Sequence, residues 1–110
     1  MILVKEINHK ALELCFELDS NTIRLWTKKQ WEGELNKRGV KVVAILSEKK
    51  TIGIYVVQII MDEAQINFFS IKQKFRRRGY GSYLMIYLIN QCEKLNIKRI
   101  LLEVSETNSI

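Results

Sequence analysis

The spacing of apolar residues changes several times along the chain, and each change marks a predicted element. Ile2 to Ile7 is rich in aliphatic residues and reads as a first short strand. Asn8 can cap the helix that follows, in which Leu12, Cys15, Phe16 and Leu18 make an apolar stripe, and Asp19-Ser20-Asn21 ends it. Thr27-Lys28-Lys29-Gln30 fits a capping box, which opens a second helix with Trp31 and Leu35 at i, i+4. That helix is expected to stop near Gly39, because glycine tolerates the left-handed conformation just past a helix end.

Beyond Gly39 the pattern becomes that of strands. Val40 to Leu46 and Ile52 to Met61 are rich in valine and isoleucine, and Ser47-Glu48-Lys49-Lys50 between them reads as a hairpin turn. Asp62-Glu63 makes a second turn, and Ala64 to Ile71 a third strand of this run. A long helical pattern follows, with Leu84, Leu88, Cys92 and Leu95 as its stripe, Met85 and Ile89 beside it, and Asn96 as its left-handed end. Ile100 to Val104 is predicted to be a final buried strand, which would want neighbours on both sides. The order is βααβββαβ, an α/β domain with a mixed sheet. Proline is absent and no linker or repeat divides the sequence, so residues 1–110 are expected to form one domain.

Composition adds exclusions. With 47% hydrophobic and 27% charged residues, the 110-residue chain has the make-up of a globule and not of a disordered tail. No apolar run reaches the ~20 residues that span a bilayer, so no membrane partner is expected. The N-terminus acquires charge at Lys5 and Glu6, too soon for a secretory signal, and the two cysteines lie far apart as Cys15 and Cys92. Reduced thiols in a cytoplasmic protein are the expectation.

Charge carries one local message. Lysine and arginine number 18 against 12 acidic residues, and Lys72-Gln73-Lys74-Phe75-Arg76-Arg77-Arg78 holds five of the cations and no acid. Without that segment the two signs nearly balance, so the excess points to a local anion. The segment runs into Gly79-Tyr80-Gly81 and then the long helix. A helix N-terminus offers free N–H groups and a partial positive charge, and glycines let backbone approach a phosphate closely. Arginines add charge-assisted hydrogen bonds. A G-x-G-x-x-G fingerprint fails, because no glycine follows Gly81, and no Gly-Lys-Ser/Thr of a P-loop is present. Three other roles compete for the segment: a solvated basic turn, a tight turn needing glycine alone, and a nucleic-acid contact. The last would want interleaved aromatics, of which Phe75 and Tyr80 are the only examples.

Arg76-x-x-Gly79-x-Gly81, opening a helix after this run of strands, resembles the R/Q-x-x-G-x-G/A motif of the GNAT family of N-acetyltransferases. Asp62-Glu63-Ala64, Leu102-Glu103-Val104, Asn108 and Trp26-Thr27 resemble segments of its branch that acetylates the N-terminal alanine of a ribosomal protein. The resemblance implies the GNAT acyl-CoA N-acyltransferase fold, here lacking the final helix and strands. In this family those carry a tyrosine general acid, so the chain is expected to be a C-terminally truncated member.

The resemblance further implies acetyl-CoA as cosubstrate, with no metal, and a ribosomal protein N-terminus as acceptor. Cofactor contacts would fall on Arg76, Arg77, Arg78, Gly79, Tyr80, Gly81 and Ser82, on Phe69, Ser70 and Ile71 where the family's fourth strand bulges and splays from the fifth, and on Asn108. Glu103 would be the general base, a role weighed against that of an exposed strand-end carboxylate. Trp26 and Trp31 read as core or loop anchors, with Trp26 a candidate border of the acceptor site. His9 reads as a solvated helix-start residue. An inactive remnant that only binds CoA is the alternative reading, ahead of a basic nucleic-acid-binding module.

Overall fold

The structure, a computed structural model, describes residues 1–7, 11–20 and 26–102. Its elements are β1 (Ile2–Ile7), α1 (Ala11–Ser20), α2 (Lys28–Leu35), β2 (Val40–Ser47), β3 (Lys50–Ile60), β4 (Glu63–Ile71), a 3-10 turn (Gln73–Phe75), α3 (Tyr80–Lys94) and β5 (Arg99–Leu102). The strands form one sheet in the order β1-β2-β3-β4-β5. The first four are antiparallel to their neighbours, and β5 runs parallel to β4. The mixed α/β architecture read from the sequence is the one observed. The Asn8 cap and His9 lie outside the described residues.

Local chemistry accounts for most boundaries. Glu48 and Lys49 both take positive φ (50° and 69°), the twist a two-residue hairpin loop needs between right-twisted strands. Thr27 caps α2 through the box predicted for it: its hydroxyl accepts from the Gln30 N–H at 3.1 Å, and the Gln30 side chain accepts from the Thr27 N–H at 2.8 Å.

Four expectations need correction. Helix α2 ends at Leu35 with Asn36 as its cap, earlier than Gly39. Gly39, at φ 82°, instead turns the chain into β2, where its carbonyl accepts from the Ile59 N–H at 2.9 Å. Strand β4 begins at Glu63, because Met61 at φ 56° already completes the turn. Leu95 is 47% exposed, since it sits at the C-cap of α3, past the last turn that faces the sheet. Strand β5 was expected to be buried, yet all four of its residues are exposed. It pairs only with Glu63–Ile66 of β4 and, among the described residues, forms the sheet edge.

The sheet buries both faces, which explains why β2 and β3 are apolar almost throughout. Helix α3 covers one face, packing Leu84, Leu88 and Cys92 with Val43, Tyr55 and Ile66. Helices α1 and α2 cover the other, packing Cys15, Leu18 and Trp31 with Val42, Ile54 and Phe68. No helix among the described residues is long and apolar enough to cross a membrane.

Asp19 locks the two covering helices together. Its Oδ2 accepts from the Trp31 indole N–H at 3.0 Å and from the Trp26 backbone N–H at 3.2 Å, and the carboxylate is buried. The Trp26 and Trp31 rings meet edge to face at 4.7 Å, and Trp31 meets Phe68 in the same way at 4.9 Å. Burial, and secondarily the Asp19 charge one turn away, push the Cys15 thiol up to about 12, so it stays protonated at neutral pH. Asp19→Ala would strand the buried Trp31 indole donor and the part-buried Trp26 N–H. It should lower stability by about 1–3 kcal/mol, read as a drop in the urea midpoint at unchanged slope.

Candidate functional site

Strand β4 changes its facing part-way along. Ala64 and Ile66 point into the α3-side core, whereas Phe68, two residues further, belongs to the α1/α2 side. The register explains the switch: Val57 pairs with Ile66 and Val56 with Phe68, leaving Asn67 as an extra residue in a bulge. Asn67 is held there by donating its side-chain amide to Glu34, a buried carboxylate on α2 that also pairs with Lys37 at 2.9 Å. The described part of β5 pairs as far as Ile66–Leu102, next to the bulge. From Asn67 to Ile71, β4 therefore has a neighbour only in β3 among the described residues.

Phe69, Ser70 and Ile71 all fall on that stretch. Phe69 and Ile71 lean on the α3-side core, where the Phe69 ring stacks parallel to Tyr55 at 6.4 Å. Tyr55 is buried, and burial raises its phenol well above its ordinary pKa, with smaller contributions from Tyr87, Cys92 and Glu6. Ser70 is on the other side, buried beneath α1.

The basic turn then redirects the chain. The Arg76 Nε donates to the Ile71 carbonyl at 2.8 Å, which ties the turn to the end of β4. Arg77 at φ 63° and Gly79 at φ 85° both adopt the left-handed conformation, and Arg77, Arg78 and Gly79 are exposed. Gly79 is the N-cap of α3, which receives no side-chain cap. The N–H groups of Tyr80, Gly81 and Ser82, in the first turn, thus lack helical acceptors. A Cβ built on Gly79 would meet nothing within 4 Å, and one on Gly81 would meet only the Ile71 side chain at 3.9 Å. Packing does not require either residue to be glycine; at Gly79 the backbone conformation does.

Phe75 and Tyr80, the aromatics of the basic segment, pack edge to face at 6.1 Å and lean on the core beside α3. They are not displayed as stacking platforms for bases. Glu103 and Asn108 lie outside the described residues.

Comparison with known proteins gives this geometry a family. The model of the acetyltransferase (GNAT) family matches residues 6–110. The chain belongs to that family.

Two curated GNAT relatives carry the name ribosomal protein bS18-alanine N-acetyltransferase. The one from Salmonella typhimurium is 25% identical over 84 residues, covering 76% of this chain and 56% of the relative. The one from Haemophilus ducreyi is 30% identical over 78 residues, covering 69% and 54%. The chain therefore spans about half the length of the curated relatives it matches. Among solved structures, the ribosomal-protein-S18-alanine N-acetyltransferase of Escherichia coli superposes with a TM-score of 0.84 at 17% identity, covering 93% of this chain and 66% of that one. This last likeness shows the GNAT fold. Sequence reasoning missed the Glu34–Asn67 brace, since a carboxylate on one helix and an amide 33 residues later carry no local signal.

Proposed function

We propose that the chain is an acetyl-CoA-dependent N-acetyltransferase acting on a protein N-terminal amine, of the ribosomal-protein alanine type. One observation supports the reading: from Asn67 to Ile71 β4 has, among the described residues, a neighbour only in β3, and it leads straight into a helix N-terminus with no side-chain cap and no close contact at the Cβ positions of Gly79 and Gly81. The pyrophosphate would lie against the N–H groups of Tyr80, Gly81 and Ser82, with Arg77 and Arg78 beside it. The pantetheine arm would run along that edge of β4, pairing with backbone groups of Phe69 and Ile71 as a short strand would. Arg76, bonded to the Ile71 carbonyl, holds the two subsites in register.

In this reading the acceptor nitrogen attacks the thioester carbon, the carbon–sulfur bond breaks, and the thiolate leaves. The attacking amine must be neutral. An α-amino group, with pKa ≈ 7.7–8.0, loses its proton far more readily than lysine at ≈ 10.4, so a single carboxylate base suffices. Glu103 takes that proton directly or through one water. A leaving thiolate with pKa near that of cysteine, ≈ 8.5, needs no obligatory acid to depart. The same chemistry favours N-terminal amines over lysines as acceptors.

The test pairs binding with turnover on the 110-residue chain. Calorimetry should find CoA bound far more tightly than pantetheine, and acetyl-CoA should yield free thiol with an alanine-initiated peptide, but not with an N-blocked peptide containing lysine. Equal affinity for CoA and pantetheine would overturn the phosphate site. Tight CoA binding without transfer to any amine would make the chain a CoA-binding protein only.

A further inference from the structure

Helix α2 holds the β4 bulge at two points. Trp31 is fully buried and meets the Phe68 ring edge to face at 4.9 Å. Glu34 lies one turn further along α2, and its Oε2 accepts from the side-chain amide of Asn67, the extra residue of the bulge. The other carboxylate oxygen pairs with Lys37 at 2.9 Å. Lys37 is more than half exposed, and such a pair forms as well on a helix surface, so it gives no reason for burying the carboxylate. Asn67 supplies one: a bulge leaves its extra residue outside the ladder, and a half-buried amide there needs a partner.

The bulge also decides which backbone groups of β4 face outward. The Lys72 N–H donates to the Ile52 carbonyl of β3 at 2.8 Å. Alternation along the strand then turns the Ser70 and Phe68 backbone toward β3, and that of Phe69 and Ile71 toward the opposite edge. The Arg76 Nε agrees, since it reaches the Ile71 carbonyl from outside the ladder with β3. A slip of the bulge by one residue would exchange the two sets, presenting Phe68 and Ser70 instead. A ligand that pairs with Phe69 and Ile71 therefore needs the bulge where it is.

We propose that Glu34 and Asn67 are positioning residues for the cosubstrate: the α2 carboxylate pins the bulge, and the pinned bulge presents the Phe69 and Ile71 backbone to the pantetheine arm. The inference rests on the acetyltransferase reading above and deepens it. Both side chains act through the strand, and the phosphate end of the cosubstrate, assigned to the first turn of α3, does not depend on them.

Calorimetry on the full chain with two ligands separates this role from a general one in stability. The ligands are CoA and its phosphoadenosine diphosphate half, which keeps the pyrophosphate and lacks pantetheine. Glu34→Ala should weaken CoA by about tenfold, as the loss of two backbone hydrogen bonds to pantetheine allows, and leave the nucleotide half within about twofold. Glu34→Gln keeps an oxygen that accepts from Asn67 and should restore CoA affinity. Asn67→Ala should match Glu34→Ala, and the double variant should be no worse than either, because the two residues act as one brace. Asn67 is only half-buried, so its variant carries the test if Glu34→Ala folds poorly. Equal loss of both ligands, no loss of CoA, or a glutamine variant as poor as alanine would overturn the proposal. Hydrogen exchange reads the brace without a ligand: the Ser70 and Lys72 amides should exchange about tenfold faster in Asn67→Ala, and unchanged protection there would also overturn it. A wild-type chain that binds neither ligand but shows the faster exchange would overturn the acetyltransferase reading, and the cosubstrate role with it, while the brace stands.

Discussion

Glu103→Gln should slow acetyl transfer by roughly 10²–10⁴-fold at neutral pH, the range that loss of a general base produces. The amide keeps the size and polarity of the carboxylate but cannot take up the proton that the attacking amine must lose. Glu103 directly follows Leu102, the last residue of β5, and β5 is parallel to β4 in the register that brings Leu102 opposite Ile66 at the start of the bulge. Acetyl-CoA affinity should stay within a factor of two or so, because the phosphate contacts are assigned to α3 and its turn. The wild-type rate should fall first as the amine protonates, at pKa ≈ 7.7–8.0, and again in the ordinary carboxylate range well below it. In the variant, only the amine should remain in the profile. Steady-state kinetics across pH with one alanine-initiated peptide measures all of this, and an unchanged rate and profile would reduce Glu103 to a structural residue.

Gly81→Val should weaken CoA binding by at least ten- to a hundredfold while the chain stays folded. The two effects separate because of what surrounds Gly81. A side chain there meets only the Ile71 side chain at ordinary van der Waals distance, so packing accepts it. Valine in a helix is also less costly than glycine, so the melting temperature should hold or rise slightly. Its branched carbon would stand in front of the first-turn N–H groups, pushing an anion beyond hydrogen-bond reach. Each charge-assisted bond lost is worth about 1.5–3 kcal/mol, and one such loss sets the lower end of the range. Pantetheine, which has no pyrophosphate, should be far less affected. Calorimetry with both ligands reads the difference, and an unchanged CoA affinity in a folded variant would remove the phosphate from this helix.

What the sequence made legible was local. The capping box at Thr27–Gln30, the hairpin at Glu48–Lys49 and the left-handed Asn96 each depend on backbone chemistry within a few residues. The strand–basic turn–glycine–helix order at Ile71 to Ser82 is local as well, and the phosphate site proposed above follows from it. Where the reading failed, the deciding contact was distant. Gly39 looks like a helix terminator until Ile59 is seen pairing with its carbonyl. Apolar β5 looks buried until its place at the edge of the described sheet is known.

Residue order alone thus determined the element order, the mixed sheet and the basic glycine turn that opens α3, since period, capping and glycine placement act over one or two turns of chain. Only the tertiary structure decided which face each side chain serves. The bulge at Asn67 turns Phe68 and Ser70 toward α1, and it is fixed by Glu34 on a different helix. The turn after β4 places Lys72, Lys74 and Arg76 around one cavity beside Glu17 and Leu18 of α1, which their sequence spacing does not reveal. A one-residue insertion in a strand inverts every side chain beyond it, and the energy that holds it comes from partners far away in sequence.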